Sequence, residues 1–108
     1  MEKIEKVSTK RDKSGDVTVE NGVQVVRMDV DSGGYTPNTF IIQRNSPVKW
    51  IVNGKNVFGC QGFLNVPELK IAQALKQGEN IFNFSVDKIG QIGFSCSTNV
   101  VQGKFIAV

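Results

Sequence analysis

The chain has 108 residues, 40% of them hydrophobic and 21% charged, with eleven Gly and three Pro, which suits one globular domain with one core and leaves no room for two. Lys and Arg number 13 against 10 Asp and Glu, a net charge of +3 with no basic run, which argues against nucleic acid as the partner. Histidine is absent, which removes the usual general base, the Ser-His and Cys-His pairs and the commonest transition-metal ligand.

Residues 1–20 carry five basic and five acidic side chains and only Ile4, Val7, Val17 and Val19 as larger aliphatics. That composition predicts a polar linker or flexible N-terminal arm, followed by a single domain over 21–108. No stretch approaches the eighteen or so apolar residues that span a bilayer, and the start lacks the apolar centre of a secretory signal, so the chain as written is expected to be soluble.

From Val23 the pattern is β. Gln24, Arg27 and Asp29 interleave with Val26, Met28 and Val30, and Asp31-Ser32-Gly33-Gly34 supplies turn chemistry before the apolar run Phe40-Ile41-Ile42. Val48, Trp50 and Val52 share one face of a strand, Lys49 and Asn53 take the other, and Asn53-Gly54 closes it. Pro67 to Leu75 is compatible with a helical turn or with a loop feeding a strand, and is read as the latter. The runs Ile81 to Phe84, Ile92 to Cys96 and Lys104 to Val108 each follow a glycine, at Gly78, Gly90 and Gly103. Short strands at this spacing predict an all-β sandwich or barrel. Met28 and Trp50 fit that scheme as core residues.

Special chemistry then rests on two cysteines. Cys96 ends a strand on which Ile92 and Phe94 point the same way, and Cys60 lies in the glycine-flanked loop Phe58-Gly59-Cys60-Gln61-Gly62. Three outcomes stay open if they meet: a disulfide, a two-coordinate soft-metal site, or two packed thiols. A disulfide would close a loop of about 37 residues and contribute roughly 4 kcal/mol on chain-entropy grounds. Copper(I) favours thiolate donors, and two converging thiolates suffice for it, whereas a blue-copper centre is excluded because it needs two histidines beside its cysteine. Phe58, Phe63 and Leu64 around Cys60 suit an apolar collar, a docking patch or a core edge. No enzyme is expected: Glu68, Glu79 and Asp87 fall at turns, and no phosphate-cradling glycine motif precedes a helix.

Seven segments in order carry a resemblance. Gly34-Tyr35-Thr36-Pro37-Asn38, Ser46-Pro47-Val48-Lys49-Trp50, Gly59-Cys60, Asn65-Val66-Pro67-Glu68-Leu69, Gln77-Gly78-Glu79-Asn80, Phe94-Ser95-Cys96-Ser97 and Gly103 are similar to cupredoxin-like domains. More narrowly the chain resembles, over about residues 23–108, the small domains at the ends of bacterial membrane proteins that handle heavy metals, sulfite-exporter-like and copper-ATPase-like proteins among them. The resemblance implies a Greek-key β-sandwich with a metal site at one end, Cys60 and Cys96 as the metal ligands, and copper, as copper(I), as the cofactor. It also implies a membrane-protein metal transporter or exporter domain as partner and an extracytoplasmic location as part of a membrane-tethered protein. One departure is plain: the family's last loop usually reads cysteine, any residue, methionine, glycine, methionine, and here it reads Cys96-Ser97-Thr98-Asn99-Val100. The alternative reading is a metal-free binding or structural module with a Cys60–Cys96 disulfide, accessory to a membrane protein.

Overall fold

The computed structural model describes residues 14–15, 17–57, 59, 62–96 and 101–108. Among them the strands are β1 (Ser14–Gly15), β2 (Val17–Glu20), β3 (Val23–Asp31), β4 (Gly34–Thr36), β5 (Thr39–Ile42), β6 (Val48–Gly54), β7 (Phe63–Val66), β8 (Ile71–Ala74), β9 (Gly78–Phe84), β10 (Gly90–Ser95) and β11 (Gln102–Ala107). They form two sheets. One runs β1-β5-β11-β10-β7-β8; the other runs β2-β3-β6-β9, with β4 paired to the end of β3.

The expected all-β sandwich is what forms, and the period-two pattern explains it. Val26, Met28 and Val30 on β3 and Val48, Trp50 and Val52 on β6 face inward from one sheet. Phe40, Ile42, Leu64, Val66, Ile92, Phe94, Phe105 and Ala107 face them from the other. Trp50 sits at the centre, its ring centroid 4.8 Å from those of both Phe94 and Phe105. Met28 and Trp50 are core residues, as their spacing predicts.

Four local features differ from expectation or sharpen it. Part of the segment read as a polar linker is strand: Ser14–Gly15 pairs with β5, and Val17–Glu20 pairs with β3. The backbone ladder supplies there what the side chains lack, and Val17 packs on the core; residues 1–13 lie outside the described part. Gln24, grouped in sequence with the outward polar residues, points inward and is buried. Its amide donates to the carbonyls of Gln43 and Ser46 and accepts from the Gln43 N–H at 2.7 Å, so it pins the β5–β6 connection beneath β3. Pro67–Leu69 forms one turn of 3-10 helix, ended by Lys70 at φ 57°, before β8 begins; Glu79 lies within β9 rather than at a turn.

Candidate metal centre

β3 and β6 run parallel, and their register pairs Val30 with Gly54, so both strands end on the same side of the sandwich. There the carbonyl of Val30 accepts from the N–H groups of Lys55 and Asn56, at 2.8 and 3.1 Å, which folds the chain leaving β6 over the end of β3. The path onward passes Val57, Gly59 and Gly62. The Gly62 N–H donates to the Gly59 carbonyl at 3.1 Å, and a Cβ at Gly62 would overlap the Val57 carbonyl, so the loop closes only with glycine at that position.

β10 arrives at the same end. Its register with β7 pairs Ser95 with Asn65, and one step further along this antiparallel ladder sets Cys96 beside Leu64. Gly62, just before β7, and Cys96, just after β10, therefore lie at the same end of the sheet. Of the two cysteines named from sequence, Cys96 is placed at this rim, 1% exposed; Cys60 lies outside the described residues, as do Phe58 and the loop 97–100. Leu64 is fully buried core rather than a docking patch.

The Cys96 sulfur is held from the far side of its loop. The Cys96 N–H donates to the Val101 carbonyl at 3.0 Å, and the Val101 N–H donates to Cys96 Sγ at 3.4 Å. Val101 is itself braced by Gly34, whose φ of +114° suits glycine and whose missing Cβ would stand 3.0 Å from Val101 Cγ1. Sequence reasoning did not single out Val101 or Gly34 in these roles, because a valine N–H and a turn glycine signal nothing until the two strands are brought together. Cys96 is disulfide-bonded in this structure.

Tyr35 and Phe94 line the floor, ring centroids 5.4 Å apart. The Tyr35 hydroxyl is buried without a hydrogen-bond partner among the described residues, and burial pushes its pKa up to about 12, so it stays a neutral phenol. At the surface of this end Asp29 accepts from the Asn53 amide and pairs with Lys55 at 3.1 Å, an exposed pair that adds little stability. Among the described residues no group of three or more Cys, Asp or Glu side chains gathers as a metal cage. Once reduced to a thiolate, a sulfur with an N–H donor in apolar surroundings suits a soft ion that needs few ligands, and does not suit a hard one.

No protein-family model matches the sequence, and no curated protein matches it. Solved structures do resemble the fold. The metal-binding domain of the copper(I)-exporting P-type ATPase CopA of Streptococcus pneumoniae D39, solved with copper(I), superposes with a TM-score of 0.81 at 21% identity over 90% of this chain and 97% of that one. A copper-binding protein in its apo form gives a TM-score of 0.79 at 26% identity, over 87% and 97% of the two chains. A reduced amicyanin variant gives 0.55 at 12% identity, over 87% and 93%. Two packed sheets with this strand order and these neighbours identify the fold as a cupredoxin-like β-sandwich.

Proposed function

We propose that this chain is a copper-handling domain that binds copper(I) between the thiolates of Cys60 and Cys96 and passes it, by ligand exchange, to or from a membrane-bound metal transporter on the extracytoplasmic side. The observation that carries the reading is the Cys96 sulfur, seated at the apolar rim with the Val101 N–H aimed at it, in a fold shared with a copper(I)-exporter domain. An N–H donor offsets negative charge on a metal-bound thiolate, and the buried Leu64 and Phe94 keep water from it. The missing histidines leave copper(II) with few suitable ligands, so the module binds and transfers rather than cycling electrons. No helix among the described residues is long and apolar enough to cross a membrane.

A second reading is favoured by the disulfide-bonded state of Cys96: a metal-free module in which a Cys60–Cys96 disulfide locks this end and the domain serves as an accessory to a membrane protein. Copper loading requires that the disulfide first take up two electrons from a reductant to give two thiolates. The deciding experiment is an anaerobic copper(I) titration of fully reduced protein against a competing chelator. One-to-one binding that is lost in Cys60→Ser and in Cys96→Ser is the expected result. Failure to compete, together with a marked loss of thermal stability on reduction, overturns it in favour of the locked module.

A further inference from the structure

The two sheets leave four edges among the described strands, and they are not alike. β1 has two residues, β2 and β8 have four each, and β9 has seven, Gly78-Glu79-Asn80-Ile81-Phe82-Asn83-Phe84. Short edges are protected by their shortness; long ones ordinarily carry lysine, proline or a bulge that discourages pairing. β9 has none of these, and its one charged residue, Glu79, sits next to its start. It pairs with β6 without interruption from Gly78↔Gly54 to Phe84↔Val48, and among the described strands its other side has no neighbour. Its midpoint, Ile81, is 47% exposed.

We propose that β9 is the pairing edge for a second copy of this chain, joined antiparallel about a twofold axis at Ile81. The side-chain order supports this occupant. With Ile81 opposite Ile81, Glu79 of each copy faces Asn83 of the other, and Asn80 faces Phe82, so no like charges oppose. Within each copy Asn83 is in register with Lys49 and Glu79 with Asn53. Both ends of the seam thus read Lys49, Asn83, then Glu79 and Asn53 of the second copy, a cation and an anion on either side of an amide that can bond to both. Parallel self-pairing would instead set Glu79 against Glu79. Joining β9 to β8 of another copy would repeat without closing, whereas the twofold seam closes and yields one continuous sheet ordered β2-β3-β6-β9-β9-β6-β3-β2.

The test is sedimentation velocity on the whole chain in reducing buffer, over a concentration series reaching the millimolar range. The expected result is a reversible species of about twice 11.9 kDa. Ile81→Lys sets two ammonium groups on the axis, and Asn83→Glu sets a carboxylate against Glu79 at both ends. Each is expected to raise the dimer dissociation constant at least about tenfold while the circular dichroism spectrum stays that of the parent. A monomer at every concentration overturns the proposal, as does a dimer indifferent to both substitutions.

Discussion

Gly103 lies against the ring of Phe94, its register partner on β10: a Cβ built at Gly103 would run into the Cε1 and Cζ atoms of Phe94 and stand 2.8 Å from the Asn38 carbonyl oxygen. The ring thereby covers the weakest point of β11 and fixes how closely β11 and the Asn38 backbone approach. Gly103→Ala is expected to destabilise the fold by about 1–3 kcal/mol through overpacking. Gly93→Ala, where the nearest atom stands 4.0 Å away, is expected to change stability by no more than about 0.5 kcal/mol. Urea unfolding of the two variants side by side checks the contrast.

Asn80 closes the turn into β9. Its buried amide donates to the carbonyls of Val52, Lys76 and Gly78, and its oxygen accepts from the Lys76 N–H at 3.0 Å. Asn80→Ala leaves these groups unpaired and is expected to cost about 2 kcal/mol. Asn80→Asp keeps the acceptor but turns a carboxylate toward three carbonyl oxygens. Its loss should exceed that of Asn80→Ala at neutral pH and shrink on acidification, readable as a thermal midpoint that rises as pH falls.

Tyr35 is the chain's single tyrosine, so its ionisation is visible by phenolate absorbance without interference from another. In the unfolded chain it ionises near 10.0, and in the folded protein burial defers ionisation to about 12. The unfolded state therefore releases the proton first as pH rises. The stability contribution is complete below pH 10 and is lost as pH approaches 12. Tyr35→Phe is expected to remove this slope and, because the hydroxyl has no partner, to leave stability at neutral pH unchanged or raised by up to about 1 kcal/mol. Denaturant titrations at several alkaline pH values test both statements.

Gly34→Ala probes the support of the proposed copper site. The methyl group meets Val101 Cγ1 and the backbone must hold φ near +114° with a side chain attached, at a cost of about 1–3 kcal/mol. Displacement of Val101 withdraws its N–H from Cys96 Sγ, so copper(I) affinity in the chelator competition should fall about tenfold, the loss of one hydrogen bond to a charged acceptor. Retention of full affinity would show that the Val101 donor does not contribute.

What the sequence makes legible is the part that repeats locally. Alternation through Val48, Trp50 and Val52 identifies a half-buried strand, and Ile92, Phe94 and Cys96 are one inward row, which is why Cys96 could be placed at the rim in advance. Partnership between distant strands has no such local mark. Nothing in Val23–Asp31 announces that β3 pairs parallel with β6, or that Gln24, polar by type, turns inward to bind a loop nineteen residues away. Composition likewise reads 1–20 as a polar linker or flexible arm because a strand as short as β1 is held by backbone hydrogen bonds to β5, which leave no mark in side-chain composition. At the site, the sulfur was legible because cysteine is rare here, and its backbone donor was not, because every residue but proline has one.

β11 lies between β5 and β10, and its parallel pairing matches Phe105 with Phe40 and Ala107 with Ile42. Strands sixty-five positions apart in the chain must therefore meet before that sheet is whole. During synthesis, Phe40 and Ile42 leave the ribosome well before Phe105 and Ala107 and wait with one flank of β5 bare until residues 102–107 emerge. Until β11 takes its place between β5 and β10, that flank of β5 is open to mispairing.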